Sequence, residues 1–155
     1  MNTCDIKKSA VPSGYLYLGI IANRLDIDDI SKMLKLQPTS VRLNTKAGLD
    51  HWDCGFEEQE LYHFDEMQRN IIDIFRGKEE ILKVILRKYN AEITFNFVAY
   101  NVIDCVIGIN FKREFIAFAH DISATIDIDS YFKIRDFGDI VTMSDEQDLI
   151  LIKKM

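Results

Sequence analysis

The segment from Tyr15 to Trp52 constrains this chain more than any other. It opens on YLYLGIIA, a near-continuous apolar run. Such a run predicts a strand that is central in its sheet or covered on both faces. Asp26, Asp28 and Asp29 come next, ahead of Ile30, Met33, Leu34 and Leu36. That i, i+3, i+4 spacing predicts a short helix, with carboxylates where the free N–H groups and the macrodipole favour them. Pro38 marks its end. Val41 to Thr45 alternates with basic residues and reads as an exposed strand. Gly48 turns the chain, and His51 to Phe56 reads as another short strand.

The rest of the chain continues the mixture. Phe64, Met67, Ile71, Ile74 and Phe75 form one helical stripe, and Ile81, Leu82, Ile85, Leu86 and Tyr89 form a second. Gly77 between them predicts two helices or one kinked helix. Two alternating segments, Glu92–Tyr100 and Val102–Phe111, read as a hairpin. Cys105 then falls mid-strand on the apolar face. A third helix is expected over 112–124, burying Phe115, Phe118, Ala119 and Ile122. Ile126–Phe132 reads as an edge strand with Asp127, Asp129 and Tyr131 outward. Gly138 predicts a turn and Leu149–Ile152 a last short strand. Together these elements predict an α+β fold: a two-layer sandwich, its sheet antiparallel or mixed, helices on one face, with a ferredoxin-like element. Residues 1–13 are expected to be a flexible arm and 14–155 a single domain.

Composition narrows function mainly by exclusion. With 155 residues, 48% of them apolar and ten Phe, the chain can bury a sizeable core. The formal net charge of −6 speaks against direct binding of nucleic acid, whose partners concentrate positive charge. A basic protein partner suits that balance. Cys4, Cys54 and Cys105 are odd in number and far apart, which fits a reducing compartment and no disulfide framework. The N-terminal residues carry no apolar run of a secretory signal, and no stretch approaches the roughly 20 apolar residues that span a bilayer. Cytoplasmic residence without a membrane partner is the expectation.

No catalytic, cofactor or metal set is complete. His51 and Cys54 can supply two metal ligands, but a structural zinc site takes about four, and Cys4, His63 and Cys105 stand in no paired motif. Cys54 with His51 or His63 is the one nucleophile–base pairing on offer. Asp26, Asp28 and Asp29 lack the Gly and distal Glu of a calcium loop and read as helix capping. Asp127 and Asp129, two apart on a strand, suit acid–base work, a cation or the protection of an edge. No cofactor is implied. The block Glu57, Glu58, Glu60, Tyr62, Asp65 and Glu66 sets aromatic and apolar residues among carboxylates, a pattern suited to a basic protein surface.

The run GIIANRLDIDDISKMLKLQPTSVRLNTKAG, then Trp52, the two-helix segment, the hairpin and AHDISATIDIDSY together resemble the bacterial domain-of-unknown-function family DUF4279. The features that carry the resemblance are Leu36-Gln37-Pro38-Thr39, Gly48, Trp52 and Ile126-Asp127-Ile128-Asp129, and it spans roughly residues 15–132. Such domains look like small cytoplasmic bacterial proteins, some similar to immunity proteins encoded beside secreted toxins. The resemblance brings no activity and no functional residue with it. Three function classes follow. The first is a non-enzymatic, immunity-type module that binds a basic toxin domain through Glu57, Glu58, Glu60, Tyr62, Asp65 and Glu66, with Asp127 and Asp129 as a second surface. The second is a hydrolase or metal-dependent enzyme built on His51, Cys54, His63 or Asp127/Asp129. The third is a self-associating structural or regulatory domain, monomer or homodimer.

Overall fold

The computed structural model of the chain describes residues 11–102, 105–133 and 140–142. Strand β1 (Ser13–Ala22) lies in the middle of a mixed sheet. It pairs antiparallel with β3 (Asp50–Gly55) on one side and with β5 (Glu92–Val102) on the other. Beyond β3 lies β2 (Ser40–Arg42); beyond β5 lies β6 (Thr125–Lys133), parallel to it, and then β7 (Ile140–Thr142). The two-residue β4 (Gln59–Glu60) pairs with the start of β1.

Burial on both sides of β1 explains its apolar run, but the two sides differ. Leu16, Leu18 and Ile20 are wholly buried and face the helices. In register, Leu18 stands between Cys54 and Phe95, so the core of the sheet is continuous across three strands. The helical layer consists of α1 (Ile27–Leu34), α2 (Phe64–Phe75), α3 (Glu79–Tyr89) and α4 (Arg113–Asp121). Asp26 caps α1 as its carboxylate accepts from the Asp29 N–H at 2.9 Å. Lys35, left-handed at φ 54°, closes that helix ahead of Pro38. Gly77, at φ 78°, separates α2 from α3. Trp52 is fully buried; its indole N–H donates to Ser31 Oγ at 3.0 Å, and Ser31 donates on to the Ile27 carbonyl at 2.7 Å. The indole's one polar group is thus satisfied inside the core.

The architecture is the expected α+β sandwich, with differences in detail. The βαβ unit is β5–α4–β6, whose strands lie side by side and parallel, with no strand between them. Val102–Phe111 is not a second hairpin strand. Val102 and Cys105 form a single bridge, and residues 106–112 follow without regular structure. Ile107, Ile109 and Phe111 alternate because they pack on the edge of the core. Buried Gln68 takes the place of a strand partner: its Nε2 donates to the Asn110 carbonyl at 3.0 Å and its Oε1 accepts from the Lys112 N–H at 2.8 Å. Cys105 is therefore bridged back to Val102 rather than placed mid-strand. Among the described residues β6 is an edge strand over Thr125–Ser130, as expected, and pairs with β7 only at Tyr131–Lys133. The turn at Gly138, the strand over Leu149–Ile152 and most of the N-terminal arm lie outside the described residues.

Candidate functional site

On the face of the sheet opposite the helices, polar, charged and aromatic side chains converge. Alternation puts Tyr15, Tyr17 and Gly19 of β1 on it. Pairing adds Thr94, Asn96, Val98 and Tyr100 from β5, and Asp127, Asp129 and Tyr131 from β6. His51 and Asp53 of β3, with Ser40 and Arg42 of β2, complete it. No described helix covers this face.

Four tyrosines run across it. Tyr17 and Tyr15 stack with ring centroids 6.1 Å apart, Tyr15 lies 6.4 Å from Tyr100, and Tyr100 stacks on Tyr131 at 5.5 Å. The row shields what lies beneath: Val98 is 5% exposed although it faces away from the helices. Burial, and then a hydrogen bond with Tyr100, push the Tyr15 phenol up to about 12. Asp127 and Asp129 stand exposed beside the row. Glu60 joins it at the other end, opposite Ser13 in the ladder, and Ser13 Oγ donates to Glu58.

At the β2–β3 end lies an ion pair with its carboxylate buried and its guanidinium half exposed. Arg42 Nη2 donates to Asp53 Oδ2 at 3.1 Å and to His51 Nδ1 at 3.0 Å. Guanidinium only donates, so His51 accepts through Nδ1 and carries its proton on Nε2. Burial lowers the His51 pKa, and adjacent Arg42 lowers it further. The Asp53 side chain is 6% exposed and that of Arg42 is 49% exposed. Burial raises the Asp53 pKa, with Arg42 opposing. Asp53 Oδ1 is buried without a hydrogen-bond partner. It lies over Gly19, where a Cβ would come within 2.9 Å of it.

Among the residues singled out from sequence, the structure unites some and separates others. Asp127, Asp129, Glu58 and Glu60 border the tyrosine row. Tyr62, Asp65 and Glu66 belong to the helical layer: Asp65 pairs with Lys112 at 3.0 Å, and Glu66 lies 3.7 Å from His63. Glu57 is exposed between β3 and β4. His51 and Cys54 point to opposite faces of β3, as an odd spacing on a strand requires, so they do not form one ligand set. Cys54 is buried in the core, which pushes its thiol pKa up and away from a reactive thiolate. Among the described residues no three His, Cys, Asp or Glu are grouped to hold a metal ion. Sequence reading missed Arg42–Asp53 and the tyrosine row. Both depend on strand register, which one strand's pattern does not reveal.

Fold and face together define a small α+β sandwich in which no described helix covers one side of the sheet. The chain belongs to the family described as Domain of unknown function (DUF4279), which matches residues 12–133. That span includes every strand of the open face except β7. No curated protein and no solved structure matches the chain. No described helix is long and apolar enough to cross a membrane.

Proposed function

We propose that this chain is a non-enzymatic protein-binding module of immunity type, which acts in the bacterial cytoplasm and neutralises a cognate toxin by occluding it. The observation that supports this reading is the open tyrosine row bordered by Asp127, Asp129 and Glu60. Tyrosine gives large, stiff contact area with a polar tip, which suits a surface that is wet when free and dry when bound. Carboxylates around it steer a basic partner and suppress acidic ones. The surface differs from the block at residues 57–66 in leaving out Tyr62, Asp65 and Glu66.

The test is capture on the tagged chain from lysate of the source cells, at low and high salt, with identification by mass spectrometry. One basic protein retained at low salt and released at high salt is the expected result. A Tyr100→Ala/Tyr131→Ala variant then binds it at least about tenfold more weakly. Charge reversal at Glu57, Glu58 and Glu60 slows association and flattens its salt dependence. Undiminished binding by the tyrosine variant removes this face from the reading. Turnover of a substrate by the purified chain overturns the reading itself.

A further inference from the structure

A hollow of about 300 Å³ opens beside the tyrosine row, between β1, β2 and the residue after β3. It is lined by the rings of Tyr15, Tyr17 and Phe56, by Ser40 and by the Arg42–Asp53 pair. A buried carboxylate with one orphaned oxygen is a costly element to keep. Among the described residues the Asp53 side chain has its hydrogen bond from Arg42, across the β2–β3 pairing. Two neighbours serve the same end. Gly19 leaves room for Asp53 Oδ1, and His51 Nδ1 accepts from the Arg42 nitrogen that Asp53 holds. Three positions thus fix the direction of one guanidinium. Both of these bonds use Nη2, and the Arg42 side chain as a whole stays half exposed.

We propose that this hollow binds a small organic anion, a carboxylate carried on a flat ring. With Nη2 engaged by Asp53 and His51, the N–H groups left on Nη1 and Nε donate singly to the carboxylate in charge-assisted hydrogen bonds. Ser40 adds a hydroxyl. The rings of Tyr15, Tyr17 and Phe56 contact the flat body. Asp53, Gly19 and His51 are positioning residues, acting through Arg42. The volume is at the lower end of the range for small-molecule sites, which suits one ring with its acid group. This site is independent of the protein-binding reading and stands or falls without it.

The test is an NMR titration of the full chain with benzoate, with acetate and benzyl alcohol as separate arms. Benzoate is expected to give saturable shifts centred on Tyr15, Tyr17, Ser40 and Arg42. Acetate, which lacks the ring, and benzyl alcohol, which lacks the charge, each bind at least about tenfold more weakly. Arg42→Lys keeps a cation beside Asp53, so the fold stands, but loses the planar donors that Asp53 and His51 aim and weakens benzoate about tenfold. Asp53→Asn weakens benzoate and averages the Arg42 guanidinium signals as that side chain swings free, a change that a merely structural role does not produce. Val84→Ala, on an exposed helix surface, leaves the affinity unchanged. The proposal is overturned by no saturable shift up to about 10 mM benzoate, by shifts centred on α4, or by equal binding of benzyl alcohol.

Discussion

On the covered face of the sheet the strands present Trp52, Phe95 and Phe97, each 0% exposed. On the open face they present Tyr15, Tyr17, Tyr100 and Tyr131, each partly exposed. Both faces are aromatic, and the difference is a hydroxyl. A ring with a polar tip lies flat over the backbone and still meets water, so it shields the ladder as a helix does without needing one. Val98, opposite Tyr15 and 5% exposed on the open side, shows how complete that shielding is. The open face is therefore stable uncovered and loses little when another surface covers it.

The comparison predicts unequal responses to truncation. Phe97→Ala leaves a void in the close-packed core and is expected to destabilise by about 3–5 kcal/mol. Tyr131→Ala removes one cross-strand contact beside water and costs about 0.2–1 kcal/mol. Urea unfolding of both variants measures the gap, and equal losses break the comparison. Gly19→Ala comes next, at about 1–3 kcal/mol, because its Cβ meets Asp53 Oδ1. In an Asp53→Ser background that loss shrinks, and a double-mutant cycle reads the coupling.

The open face responds to mild acid through His51. The His51 pKa is lowered from 6.5 in the folded chain. Above pH 6.5 the ring is neutral in both states and its bond from Arg42 is intact. As pH falls from 6.5 through the folded value, the unfolded chain takes up the proton first, and stability is lost. Asp53 works the other way. Its pKa is raised from 3.8, so the penalty for its burial is relieved as pH falls through the folded value toward 3.8. His51→Gln is expected to flatten the decline below 6.5, seen in urea midpoints taken across that range. Asp127→Lys/Asp129→Lys is the mildest change for the fold: stability stays within about 0.5 kcal/mol, while association with a basic partner slows.

Periodicity located β1, α1, the α2/α3 break at Gly77, β5, α4 and β6, because each carries its own apolar pattern. It failed over residues 105–111, where alternation reflects packing on a core edge and Gln68 supplies the backbone's partners. The opposed directions of His51 and Cys54 follow from strand parity alone. The tyrosine row does not. Tyr15 and Tyr17 become neighbours of Tyr100 and Tyr131 only through the β1–β5 and β5–β6 registers, which are set by pairing across the chain. Arg42 looked like one member of an exposed basic run, and Asp53 like one residue of a turn-and-strand segment around Trp52. Their pairing depends on β2 lying along β3, and β2 is three residues long.

The central place of β1 also bears on how the chain comes off the ribosome. Its partner β3 follows within a short stretch, but β5 begins at Glu92, long after β1 ends at Ala22. At ordinary rates of synthesis that interval is roughly 4–14 s. Throughout it, one edge of β1 has no strand to pair with, and Leu16, Leu18 and Ile20 wait for much of the helical layer. The newborn chain is thus most prone to sticking midway through translation, and completion of β5 ends that exposure.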